Sequence, residues 1–276
     1  MGAFHVVASP EGAIVNPTIN SIGVLDVFDA LRRGMHDFSE KPSHYVFLGL
    51  LYPVIGVVLM AWSVGADMLP IMFPLASGFA LLGPIAAIGL YEISRRREMG
   101  LDTSWRHALD VMKSPALPSI VAAAAVLLVL FVCWVLIAQS LYTYYFGEDA
   151  PSSLNIFLSN VLATEAGWQM MFWGNLIGLG FALVVLAISV VTFPLLIERD
   201  VGALSAIATS LRAFYHNPVP VLVWGLTIAV LLVIGSIPLF AGLAVVLPIL
   251  GHATWHIYRK IIGPPDLRRA NIGPGL

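Results

Sequence analysis

The sequence predicts an all-α polytopic membrane protein, with six transmembrane helices, cytoplasmic interfacial amphipathic helices, and an internal order of three parallel two-span repeats. Two observations carry the class. Apolar residues make up 59% of the 276-residue chain and charged residues 11%, against about 25% charge in an ordinary globular domain, and the mean hydropathy is +0.89. All 14 Lys and Arg residues also fall in segments on one side of the apolar runs. A soluble core of this size could not hide so much apolar surface.

A helix rises about 1.5 Å per residue, so roughly 20 apolar residues cross the hydrocarbon of a bilayer. Six segments suffice, at 44–66, 69–93, 117–146, 168–197, 219–236 and 237–258. The third and fourth are longer than one crossing needs and should tilt or kink, the fourth at Pro194. The last two are joined at Gly235-Ser-Ile-Pro238 with almost no loop, which leaves five spans with one re-entrant segment as an alternative. The charges decide for six. Basic residues then lie before the first span (Arg32, Arg33, Lys41), between second and third (Arg95, Arg96, Arg97, Arg106, Lys113), between fourth and fifth (Arg199, Arg212) and after the last (Arg259, Lys260, Arg268, Arg269). The opposite loops hold only Asp67, Glu148, Asp149 and Glu165, so both termini are expected in the cytoplasm.

Residues 1–23 have neither a basic n-region nor an apolar h-region and read as a polar, loosely ordered cytoplasmic lead. Residues 24–263 form a single membrane domain. Gly263-Pro-Pro ends the last helix, and 264–276 is a cytoplasmic tail. Cys133 allows no internal disulfide and reads as a small core residue. In the outward segment 147–167, Ser152 can cap a short surface helix with Leu154, Phe157, Leu158, Val161 and Leu162 at helical spacing. It serves as a connector or as a lid or docking site.

Three times an amphipathic stretch ends in a polar residue and Pro, then leads into a pair of spans, giving units of about 24–100, 101–200 and 201–263. The stretches carry Leu25, Phe28, Leu31 and Met35; Trp105, Leu109 and Met112; and Leu204, Ile207, Leu211 and Phe214. Such helices lie in the interface, apolar face in lipid and cations toward anionic headgroups. The second span of each unit has a late proline, at Pro84, Pro194 and Pro248. With an even number of spans per unit, the repeats are parallel.

The segments Ala30-Leu-Arg-Arg-Gly-Met-His-Asp-Phe38, Gly49-Leu-Leu-Tyr-Pro-Val-Ile-Gly56 and Pro74 to Gly100, above all Gly78-Phe-Ala-Leu-Leu-Gly-Pro-Ile-Ala-Ala-Ile-Gly-Leu-Tyr-Glu-Ile-Ser-Arg-Arg-Arg-Glu-Met-Gly100, resemble a family of predicted bacterial integral membrane proteins of unknown function. The resemblance runs over nearly the whole chain and implies a bacterial inner membrane. It supplies no activity, and the label of cytochrome oxidase subunit attached to some members finds no support in the residues.

Gly78, Gly83 and Gly89 on the second span, and Gly174 and Gly178 on the fourth, let helix backbones approach and read as packing positions or an oligomer seam. Glu92 precedes Arg95 and Arg96 by three and four residues, so an ion pair is available; the alternative is a proton or substrate site. Asn175 is an amide at bilayer depth that needs a partner. His252 and His256, one turn apart, could share a metal or serve a haem, yet no histidine on a facing span lies deep enough to complete a bis-histidine pair. No cofactor and no catalytic residue is therefore assigned, and phosphate loops, nucleophile elbows and zinc-protease helices are missing from the sequence.

Three functions remain open: a non-enzymatic scaffold or accessory subunit binding other membrane proteins, a respiratory complex among them, or lipid; a small-molecule or lipid transporter built on the three units; and a haem- or metal-binding redox protein using His252 and His256. Scarce intramembrane polar groups and short loops favour the first. The expected partners are the lipid bilayer and other membrane proteins, with no nucleic acid.

Overall fold

The computed structural model describes residues 7–8, 17–40, 69–148, 151, 153–238 and 240–263. The first predicted span, 44–66, and the tail 264–276 lie outside them.

The elements are helical almost throughout. They are α1 (Val24–Glu40), α2 (Leu69–Phe79), α3 (Gly83–Ala86), α4 (Ile88–Glu98), α5 (Leu117–Phe146), α6 (Leu154–Ala163), α7 (Glu165–Ser189), α8 (Thr192–Glu198), α9 (Ala203–His216), α10 (Pro218–Ser236) and α11 (Leu243–Ile261). Tight 3-10 turns occupy Ala80–Leu82 and Trp105–Lys113. The two-residue strands Val7–Ala8 and Arg199–Asp200 pair in parallel.

Among the described residues, four helices are long and apolar enough to cross a membrane: Met72–Glu98, Leu117–Phe146, Glu165–Glu198 and Pro218–Ser236. They coincide with the second to fifth predicted spans. Helix α11 replaces the sixth. Its 19 residues extend about 28 Å, but His252, His256, Arg259 and Lys260 make it too polar to rank with the four. Its C-terminal half lies inside the protein, with Trp255, Ile257, Tyr258 and Ile261 fully buried, while Val245 in the first half is exposed.

Proline placement shapes two spans. Pro84 has no N–H for the Ala80 carbonyl, and the second span is interrupted by the 3-10 turn just before it. Pro194 likewise leaves the Val190 carbonyl free, and the helix is broken between α7 and α8 at 190–191, the bend expected there. Pro248 sits in uninterrupted α11. Helices α10 and α11 turn sharply over 237–242. An added Cβ on Gly242 would stand 2.8 Å from the Gly235 carbonyl oxygen, and Phe240 takes a left-handed φ of 64°.

Helix α1 has two working faces. The Asp26 carboxylate accepts from the Gly23 N–H at 2.9 Å, closing the first turn. Val27, Ala30, Gly34 and Asp37 recur at helical spacing and are buried, while Leu25, Phe28 and Met35 stand outward. At the crossing with α11, a Cβ on Gly34 would lie 2.7 Å from both the Cβ and the backbone N of Ala253. The other two amphipathic stretches also leave apolar side chains outward, Leu109 and Met112 in one and Leu204 in the other, but the first of them is a 3-10 turn and not an α-helix.

Three local expectations are corrected. Ser153, not Ser152, caps α6, its Oγ accepting from Ile156 N at 3.3 Å. Cys133 is exposed, on an outward face of α5. The end of the polar lead is pinned: Ile22 N donates to Asn217 Oδ1 at 2.8 Å, Asn217 Nδ2 donates to the Asn20 carbonyl at 3.0 Å, and Asn20 N donates to the Ile261 carbonyl at 2.9 Å.

Candidate functional site

Two features stand out: a buried ionic layer at the basic end of the bundle and an apolar cleft beneath it.

The layer is assembled from α1, α4, α8 and α11. On α4, Glu92 is fully buried and receives Arg95 in a forked pair, Nε at 2.7 Å and Nη2 at 2.9 Å, with Arg96 Nη1 at 3.8 Å. The expected intrahelical pair is present, and planar two-point bonding explains how a carboxylate tolerates that depth. The layer continues through Asp37 of α1, which accepts from Arg97 Nη1 at 2.9 Å and lies 3.0 Å from His256 Nε2. Burial pushes the Asp37 carboxyl up, but the His256 bond and the charges of His256, His252 and Arg97 outweigh it and hold the group below its ordinary value. Glu198 of α8 closes the layer, with Arg259 Nη2 at 2.6 Å, Arg199 Nε at 3.1 Å and the Tyr258 hydroxyl donating at 2.5 Å. Arg259 Nε also reaches Glu98, which accepts from the Trp255 indole at 3.1 Å. At the rim, Lys260 bridges Asp26 at 2.8 Å and Asp29 at 3.0 Å.

His252 and His256 point to different partners. His252 is fully buried with Nδ1 2.7 Å from Ser94 Oγ, whereas His256 is turned to Asp37. The two rings are thus held by α4 and α1 respectively. Among the described residues no group of three or more His, Cys, Asp or Glu is arranged to hold a metal ion.

The cleft has a volume of about 880 Å³ and is walled by α2, α3, α4, α7, α10 and α11. Its lining is overwhelmingly apolar. Asn175 is on this wall, its Nδ2 donating to the Met171 carbonyl at 2.7 Å, which satisfies the amide one turn back. Ser77, Ser236 and Thr254 likewise donate to carbonyls of their own helices.

The five glycines divide. Gly78 and Gly178, from different spans, hold one side chain between them: added Cβ atoms would lie 2.7 Å and 3.0 Å from the Trp134 ring, whose N–H donates to the Pro74 carbonyl at 2.9 Å. Gly89 packs on Ala108 at 2.9 Å and Gly174 near Leu141 at 3.4 Å. Gly83 does not pack: an added Cβ there meets nothing within 4 Å, and the residue lines the cleft. Gly34 and Gly251, which the sequence did not single out, are tighter than most of the five, Gly251 lying 2.6 Å from Leu90 by the same measure.

The sequence reading also missed Asp37, Ser94, Glu98, Glu198 and Tyr258. A signal existed for two of them, since Glu98 and Glu198 end apolar runs beside arginines. No curated protein and no solved structure matches the chain. The 78–100 run lies inside a stretch recognised by a protein family, and the segments before residue 71 that share the resemblance lie outside it. From residue 71 to residue 198, just under half of the chain, the sequence matches the family described as a predicted integral membrane protein (DUF2189), whose function is unknown.

Proposed function

We propose that this protein is a non-enzymatic scaffold or accessory subunit of a bacterial inner membrane, binding other membrane proteins or lipid with both termini in the cytoplasm. One observation supports this above the others: most polar groups on the candidate spans are spent on bonds within the chain, the buried Trp224 indole N–H being an exception, and large apolar side chains face outward. Asn175, Ser140 and Thr227 donate to carbonyls one turn back, Glu92 and Glu198 are engaged by arginines, and Val129, Leu136, Leu226 and Val233 are more than half exposed. A surface of that kind holds on to lipid or to apolar helices. The test is mass spectrometry, with a visible spectrum, of tagged protein drawn from its native membrane in mild detergent. A stoichiometric membrane-protein partner is the expected result. Recovery alone and colourless would overturn the accessory role.

A lipid-transport reading is favoured by the cleft, with Asn175 on its wall. The redox reading is the weakest of the three, because Ser94 and Asp37 draw His252 and His256 to separate neighbours.

A further inference from the structure

We infer that the cleft is a lipid site, occupied by the acyl chains of one glycerophospholipid of the surrounding bilayer. Five of the six helices that wall it belong to segments suited to crossing a membrane, so the medium at its mouth is hydrocarbon. Folded proteins carry few voids larger than a water molecule, and 880 Å³ lies toward the upper end of ordinary ligand sites, about 300–1,000 Å³. Water is held weakly there: a water needs two to four polar partners, and Asn175, Ser77, Ser236 and Thr254 spend their donors on backbone carbonyls, which leaves the buried Trp224 indole N–H as a donor on the lining without a partner among the described residues.

Its shape fits a chain. On α7 the lining runs from Gly174 to Ser189, fifteen steps of about 1.5 Å, or about 22 Å along the helix. Small residues border the space on three walls: Gly83 and Ala87 on one, Ala182 on the second, Ala229 on the third. Glycines on such walls usually let helices close on one another, as Gly225 does on Leu186 and Gly178 on Trp134, whereas Gly83 faces open space. The inner end of the cleft, at Tyr91, Ser189 and Thr254, lies within three turns of Glu92, Glu198 and Arg259 along the same chain segments. The carboxylates there are buried and the charges paired within the protein, so the cleft takes the acyl chains and the headgroup lies outside that layer.

The test uses the full chain reconstituted in phosphatidylcholine vesicles that contain a phosphatidylcholine with a photoreactive diazirine in mid-chain. Adducts are mapped by mass spectrometry, with native mass spectrometry of the protein in mild detergent alongside. Adducts on cleft residues should exceed those on the outward positions Leu128 and Leu136 by at least fivefold, and one phospholipid mass should be retained per chain. Ala182→Phe and, separately, Ala76→Phe, which narrow the cleft from opposite walls, should cut cleft adducts tenfold and leave those at Leu128 and Leu136 unchanged, which also reports that the variants fold. Even labelling of cleft and outward faces would overturn the site. So would a cleft that excludes the probe because the chain itself fills it. Retention of a free fatty acid in place of a phospholipid would overturn the assignment of the ligand. None of these outcomes depends on a protein partner being found.

Discussion

Replacing Glu92 by Ala strips Arg95 of two short bonds in a position where neither side chain is more than 5% exposed. Removing one member of a buried pair typically costs about 3–5 kcal/mol, because the remaining charge keeps its desolvation penalty, whereas exchanging both members for apolar residues is often neutral. Thermal unfolding in detergent should therefore show a large loss for Glu92→Ala and recovery of most of it in Glu92→Met/Arg95→Met. A second lone defect would signal that the carboxylate does something besides pairing. The glycines make a sharper contrast. Gly178→Leu drives a side chain into Trp134, and overpacking of this kind costs about 1–3 kcal/mol. Gly83→Ala meets empty space and should cost less than that, the neighbouring Pro84 ring being the group that restricts it. Equal losses at both positions would contradict the division between packed and open glycines.

At the scale of the element, α1 is a helix held by charge at both ends of its contact with α11. Asp37 lies below its ordinary value near 3.9, so the folded state binds fewer protons than the unfolded one around that pH. Its contribution is present above about pH 4 and lost as pH falls further. Lys260 behaves in the opposite sense: burial lowers it, but Asp26 and Asp29 outweigh burial and hold it above its ordinary value near 10.4. That contribution is present below about pH 10 and lost as pH rises. A spin label at Arg33, which is exposed, should report an immobile α1 from about pH 5 to pH 9, with mobility rising on either side. Asp37→Asn should loosen α1 at neutral pH and flatten the acid limb. A profile unchanged in Asp37→Asn would remove Asp37 from the clamp. The helix itself was legible from its amphipathic spacing, since periodicity is a local property. Its clamp was not: Asp37 and His256 stand 219 residues apart, and nothing in either neighbourhood names the other. Cys133 shows the converse limit, because an apolar run in a span does not say which side faces lipid.

Over the whole molecule, the second to fifth spans were legible because twenty apolar residues in a row have few other uses. Helix α11 fell short for a physical reason: a helix lined by protein can carry histidines and arginines that a lipid-facing one cannot. The proposed orientation has a direct test. In a Cys133→Ser background, a cysteine placed at Lys113 or Arg212 should react with a membrane-impermeant maleimide only from the cytoplasmic side. One at Glu148 should react only from outside. Reaction of Lys113 and Glu148 positions from the same side would reverse the reading of the basic loops.

The polar character of α11 also bears on how the chain is made. Among the described helices it is made after the others, and its short hydrophobic stretch gives the translocation machinery a weak instruction to insert. What draws it in has already been synthesised: Asp37, Glu98 and Glu198 wait for His256, Trp255 and Arg259. Until it arrives, Asp37 and Glu198 keep only Arg97 and Arg199 as partners, and the seam along α1 stays open. Completion of α11 is thus the step that closes the charged layer, and a chain ending at Gly242 should be cleared faster than the full chain in a pulse-chase experiment.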